Sequence, residues 1–289
     1  MQPRVSVLIT TWNTQSLTLS LLRSLVDHPL SHSYEILLVD NASGDNTVEA
    51  VRKEFPGVKL ITNSENLGYA PANNQAYWIS SGEFLLLLGS DTRATDNSFD
   101  KMVSYLDHHP EAGAVACRLL NPDGTPQLSC RRFPGLWDGV VTYLSLDWLA
   151  PRYTMAGFDF YKTQEVEQPA ATCFMVRRRV VEKTGLFDER YTILYNDVDL
   201  CRRLLNAGSR ITYLGDAEII HLGSQSTTQA PPEIRLEMYR NILLYYSENV
   251  GRFAFWVLLP ILTVRLLITT GSISAFQLFL YKPENRDDR

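Results

Sequence analysis

Asp91 closes the segment Phe84-Leu85-Leu86-Leu87-Leu88-Gly89-Ser90-Asp91, in which an unbroken apolar run leads into a carboxylate. An ionised acid at the end of such a run can bind a cation or accept hydrogen bonds from a ligand. Three other tracts are similarly rich in hydrogen-bonding groups: Thr10-Thr11-Trp12-Asn13, Asp40-Asn41-Ala42-Ser43-Gly44-Asp45 and Asn63-Ser64-Glu65-Asn66-Leu67-Gly68. Asp40, an acceptor only, suits the imide N–H of uracil or thymine, while Thr and Asn suit ribose hydroxyls or base carbonyls. Taken singly, each tract is also ordinary turn chemistry. Together they outline a nucleotide pocket. No GxGxxG follows the first apolar segment and no GxxxxGK(S/T) occurs, so a metal is the better candidate than a glycine-rich nest for holding phosphates.

The elements that must carry these tracts alternate. Apolar strands are expected at Val5 to Thr10, Tyr34 to Asp40, Val58 to Thr62 and the leucine run, separated by helices near Gln15 to Asp27, Asn46 to Phe55 and Ala70 to Ser80. A helix over Asp96 to His109 follows. This pattern predicts an α/β fold with a mostly parallel central sheet flanked by helices, whose ligands collect beyond the strand C-termini. After Gly113 the pattern loosens, with a turn signal at Asn121-Pro122-Asp123-Gly124. Pro134 to Gln168 is aromatic and without periodicity, and reads as a substrate-facing insertion or an ordinary surface loop. Order returns with a strand at Ala171 to Val176, a helix at Asn196 to Ala207, and strands at Arg210 to Leu214 and Ala217 to Leu222.

The 289 residues are 45% hydrophobic with a net charge of −5, enough for a large core and poorly matched to a phosphate backbone, so no nucleic-acid partner is expected. The basic clusters Arg131-Arg132 and Arg177-Arg178-Arg179 read as solvated faces. Four scattered cysteines without a CxxC pair fit a reducing cytoplasm. Asp107-His108-His109-Pro110 superficially suits a metal phosphoesterase, but it sits where a helix should stop. From Phe253 to Tyr281 the only charged residue is Arg265. That stretch has the length to cross a bilayer, but Pro260 and the polar Thr269 to Ser272 favour an interfacial helix, a re-entrant pair, or packing on the domain or a second subunit.

The tracts named above, with Tyr69-Ala70, Asn73-Asn74, Gly185-Leu186-Phe187-Asp188-Glu189, Asn196-Asp197-Val198-Asp199-Leu200, Arg203, His221 and Ser226, occur in an order that resembles family 2 glycosyltransferases, most closely the rhamnosyltransferase-like branch. The resemblance implies a GT-A fold, a UDP- or dTDP-sugar donor, a divalent Mg²⁺ or Mn²⁺, and metal-dependent hexosyl transfer with inversion. Carried over by position, it implies donor binding by Thr10, Thr11, Asn13, Asp40, Asn41, Asn66, Gly68, Asn73, Ser90 and Asp91, and metal binding by Asp91 and His221. One protein carboxylate is a sparse metal site, which water and the donor diphosphate can complete.

An attacking hydroxyl must lose its proton, and Asp197 or Asp199 can take it. The family pattern places the base at Asp197. Asp199 is left to hold backbone or Arg202 or Arg203, and Asn196 stands where Glu is usual. With the apolar tail read separately as a helical extension over 229–289 and a candidate for membrane attachment, the resemblance implies a catalytic domain over 1–228, divided into a nucleotide-sugar half (1–118) and an acceptor half (119–228). It further implies a glycan or lipid-linked acceptor in cell-surface polysaccharide synthesis and a site at the inner face of the cell membrane. A homodimer is a candidate partner arrangement. The alternative function is a nucleotide-sugar-binding protein without turnover; a membrane-embedded polymerising synthase is disfavoured, because only one segment is long enough to span.

Overall fold

The computed structural model describes residues 2–223, 232–271 and 273–283. In chain order the first half runs β1 (Val5–Thr11), α1 (Gln15–Asp27), β2 (Tyr34–Asp40), α2 (Thr47–Glu54), β3 (Lys59–Thr62), α3 (Tyr69–Ile79), β4 (Phe84–Gly89), β5 (Thr92–Arg93) and α4 (Ser98–His108). There follow β6 (Ala112–Leu120), β7 (Cys130–Arg131), α5 (Leu136–Tyr143), β8 (Gln164–Glu165), β9 (Gln168–Pro169), β10 (Cys173–Arg177), α6 (Arg178–Thr184), α7 (Asn196–Asn206) and β11 (Arg210–His221). Two long helices close the order, α8 (Pro232–Asn249) and α9 (Arg252–Thr270).

Phe84 to Leu87 have no exposed surface and Leu88 has 1%. Leu86 and Leu88 pack with α1 and α4 on one face of the sheet, Leu85 and Leu87 with α3 and α7 on the other. A strand without a polar position is stable only when both its faces are covered in this way. Main-sheet strands lie in the order β3-β2-β1-β4-β10-β6-β11-β5, with β8 also paired to β11. From β3 to β4 the strands are parallel; β10 is antiparallel to both β4 and β6, and β11 is again parallel to β6. The chain moves outward through β2 and β3 and then returns across β1 to form β4. Strand order therefore reverses between β1 and β4, where a crevice opens beyond their C-terminal ends.

Two differences from the sequence reading have physical causes. The two strands expected at 210–214 and 217–222 are one strand, β11, whose register shifts between Leu214 and Glu218. The Gly215-Asp216 pair that suggested a break is a bulge, its carbonyls accepting from Arg118 Nη1 (2.6 Å) and Lys101 Nζ (2.6 Å). The aperiodic insertion contains α5, too short to show a period. Its Leu136 and Val140 pack into a third core formed by α8 and α9.

The apolar tail forms α9, ended by Gly271 in the left-handed conformation (φ 63°), and then a 3₁₀ segment, Ile273–Leu280. Leu258, Leu262 and Leu266 bury one face of α9, and Arg265 Nη1 donates to Tyr143 O (2.7 Å) at the end of α5. The boundary expected at 228/229 lies outside the described residues, as does Ser226.

Helix α7 is fastened by Arg203. Its guanidinium donates to the carbonyls of Thr184 (2.6 Å), Gly185 (2.9 Å) and Leu186 (2.9 Å) and to Asp199 Oδ2 (2.7 Å), a carboxylate only 1% exposed. Arg203→Leu removes the guanidinium from that buried carboxylate and from three carbonyls, and should lower unfolding free energy in urea by about 3 kcal/mol. An unchanged midpoint would show that Arg203 does not hold α7.

Candidate active site

Asp91 lies in the turn between β4 and β5. Because Thr92 pairs with His221 at the end of β11, sheet register brings the imidazole to the acid. His221 Nε2 stands 3.4 Å from Asp91 Oδ2, with side-chain exposures of 13% and 14%. The turn is tight: a Cβ on Gly89 would come within 2.9 Å of Asp91 Oδ1.

Asp197 comes from a different element, the first turn of α7. Tyr195, just before the helix, has a left-handed backbone (φ 63°). The Asp197 carboxylate accepts from Val198 N (2.8 Å) and from Ala171 N. Burial pushes this carboxyl above its ordinary range, and the backbone N–H groups of Val198, Ala171 and Asp197 itself offset only part of the rise. A stronger base results. Asp199, two residues on, faces Arg203, and of the two acids only Asp197 lines the cavity.

Asp91, His221 and Asp197 line one cavity of about 230 Å³, with Thr10, Ser90, Asn196, Tyr69 and Ile193 among its other walls. A second cavity of about 170 Å³ shares Thr10, Tyr69 and Ile193 and extends along Thr11, Trp12, Asn41, Asn66, Gly68 and Ile234. Gly68 is required there by its φ of 92° and because a Cβ would meet Thr192 O at 2.8 Å. Asn41 joins the loops around this second cavity, its amide donating to Gly68 O (2.9 Å) and its Oδ1 accepting from Asn63 Nδ2 (2.9 Å). Thr11 lines the cavity although its hydroxyl is bonded to Thr14 and Thr18.

Three nominated residues line neither cavity. Asn13 Oδ1 accepts from Gly44 N (2.8 Å), bracing the first loop on the second. Asn73 Nδ2 donates to Tyr69 O (2.9 Å) within α3. Asp40 accepts from Ser43 N (2.9 Å) through Oδ2, while its buried Oδ1 has no donor among the described residues. Tyr69 and Ile193 were not nominated, yet both sit where the cavities join. The Tyr69 hydroxyl donates to Ala171 O (3.4 Å) and is kept protonated by burial and by the charges of Asp197 and Asp91. Its place directly after Gly68 was the available signal; Ile193 had none. Asn196 is 4% exposed and donates to Ile193 O (2.9 Å).

The donor set can be compared with a divalent metal. Among the described residues no group of three or more His, Cys, Asp or Glu side chains gathers for one. Asp91 and His221 offer one oxygen and one nitrogen. That suits an ion such as Mg²⁺ or Mn²⁺ that draws its remaining ligands from diphosphate and water.

A family model described as Glycosyl transferase family 2 matches residues 6–185. The N-acetylglucosaminyl-diphospho-decaprenol L-rhamnosyltransferase of Mycobacterium tuberculosis is 28% identical over 232 residues, 74% of this chain and 75% of that protein. The O-antigen biosynthesis protein RfbC of Myxococcus xanthus is 30% identical over 242 residues, 78% of this chain but 18% of its own length. Among solved structures, GalNAc-T7 with UDP, GalNAc and Mn²⁺ aligns with a TM-score of 0.65 at 15% identity, over 85% of this chain and 48% of that chain. This last likeness is one of fold, and the helix-flanked, mostly parallel sheet is a GT-A fold.

Two outcomes follow from the geometry. With so few protein ligands, Mn²⁺ should bind weakly to the free protein and at least tenfold more tightly with UDP or dTDP present, measured by calorimetry; equal affinities would point to a preformed metal site. Because the folded protein holds the Asp197 proton more tightly than the unfolded chain does, ionised Asp197 costs stability at neutral pH. Asp197→Asn should therefore melt higher than the parent at pH 7, with the gap closing as pH falls through the raised carboxyl range. A lower melting temperature at pH 7 would mean that the carboxylate is structural.

Proposed function

Because the chain belongs to glycosyl transferase family 2, we propose that it transfers rhamnose from a UDP- or dTDP-sugar to a hydroxyl of a glycan or lipid-linked acceptor, with inversion, in cell-surface polysaccharide synthesis. The observation that carries the mechanism is the single cavity in which Asp197 and the Asp91–His221 pair stand together. Asp197 takes the proton of the acceptor hydroxyl as that oxygen bonds to the anomeric carbon. On the opposite face the bond from that carbon to the diphosphate oxygen breaks, and its electron pair leaves with the nucleoside diphosphate. A divalent cation held by Asp91 and His221 supplies charge neutralisation at the diphosphate. Tyr69 lines both cavities where they meet, and Asp40 Oδ1, which lines neither but lacks a donor among the described residues, is the acceptor proposed for a pyrimidine imide N–H.

The rhamnosyl assignment and the lipid-linked acceptor are supported by the name of the mycobacterial relative, and polysaccharide synthesis by that of the M. xanthus O-antigen protein. Helix α9 is long and apolar enough to cross a membrane by length and composition. Its outer stripe leaves Phe253 (73%), Trp256 (63%), Val264 (55%) and Ile268 (76%) exposed, which supports lying on the inner leaflet with the packed face toward the protein. Trp256→Glu with Ile268→Glu should cut cosedimentation with anionic vesicles several-fold and change stability by less than about 1 kcal/mol. Undiminished cosedimentation would exclude this face, and a dimer dissolved by the same changes would assign it to a second copy.

The function itself is tested by nucleoside diphosphate release from dTDP-rhamnose and from UDP- and GDP-sugars with a polyprenyl-diphosphate-sugar acceptor. Release from a dTDP- or UDP-sugar that stops on chelation of divalent ions is expected. Tight donor binding with no release from any of them would favour the non-catalytic alternative, and a GDP-sugar as best donor would contradict the role given to Asp40.

A further inference from the structure

We propose that Gln127 is a positioning residue that fixes His221 in the tautomer whose Nε2 can bind a cation; this rests on reading His221 as a metal ligand. The assignment follows from a chain of donors and acceptors over residues 121–127. Asp123 Oδ1 accepts from both the amide (2.9 Å) and the hydroxyl (2.6 Å) of Thr125. With its proton committed there, Thr125 Oγ1 accepts from Asn121 Nδ2 (2.9 Å). That orients the Asn121 amide, so its Oδ1 accepts from Gln127 Nε2 (2.8 Å). The same Gln127 nitrogen also donates to the main-chain carbonyl of His221 (2.9 Å).

Both hydrogens of the Gln127 amide are thereby used, and its Oε1 stands 2.7 Å from His221 Nδ1. An amide oxygen accepts only, so the proton of the neutral imidazole is on Nδ1. The Nε2 lone pair then faces Asp91 Oδ2, and two acceptors 3.4 Å apart are an arrangement that a shared cation stabilises. Partners of this kind orient metal-binding imidazoles and raise their basicity. The backbone of Gln127 is held independently, its N–H donating to Leu119 O (2.8 Å), so the side chain can be changed without freeing the segment.

The test uses the full ¹⁵N-labelled chain, in which long-range ¹H–¹⁵N spectra distinguish the two imidazole nitrogens. The His221 signals are those of the five histidines that vanish in His221→Ala. With the imidazole neutral, the parent should carry its proton on Nδ1. Gln127→Met should move it to Nε2 and weaken Mn²⁺ binding, measured by calorimetry in the presence of UDP, by about tenfold or more. Gln127→Glu, which loses the two donated bonds but keeps an acceptor for Nδ1, should keep the tautomer. A parent protonated on Nε2, or a Gln127→Met protein with parental tautomer and affinity, would overturn the proposal. If His221→Ala binds Mn²⁺ as the parent does, the ligand reading itself fails and takes the proposal with it. If His221→Ala loses Mn²⁺ while Gln127→Met does not, only the role of Gln127 fails.

Discussion

Covering both faces of β4 obliges the chain to place its charge beyond the strand's end. Phe84 to Leu88 have no solvent-facing position, so Asp91 is the first charged side chain after them, and it emerges where strand order reverses between β1 and β4. Everything else in the site is arranged relative to that point. The pairing of β5 with β11 delivers His221. Antiparallel β10, lying against β4, follows directly on the 170–172 segment that lines the cavity and gives Asp197 a backbone donor. The apolar core and the catalytic geometry are consequences of one constraint.

The two acids have opposite surroundings. Asp197 is desolvated and keeps its proton more readily than a free aspartate, as suits a group that must accept one. Asp91 faces an imidazole across a gap suited to a cation. The neighbouring acid Asp199 is removed from the chemistry by Arg203, which at the same time ties α7 to residues 184–186. Neutral Asn196 stays beside the base and donates to Ile193 O, so the departure from the usual Glu leaves Asp197 in place.

The parallel half of the sheet was legible because its signals are local: apolar runs of strand length, and helices such as α1 whose ends coincide with those expected. The bulge in β11 was not, since Gly-Asp reads as a turn until Arg118 and Lys101 are seen to satisfy the carbonyls. Helix α5 escaped because eight residues carry little periodicity. Within the site, the family order of motifs located Asp91, His221 and Asp197 in one cavity, but it does not distinguish a residue that lines a wall from one that braces the loop behind it. Asn13 and Asn73 belong to the second kind. Gln127 was invisible because its role depends on amide orientations fixed by partners up to 94 residues away.

The central claim is that a desolvated Asp197 is the base that deprotonates the acceptor, while the donor binds independently of it. The most direct measurement compares donor affinity and kcat for the parent and Asp197→Asn under the same metal and acceptor. Donor affinity should be unchanged while kcat falls by about a hundred- to ten-thousand-fold. A variant that turns over at the parental rate, or that loses its kcat only in proportion to lost donor binding, would contradict the account.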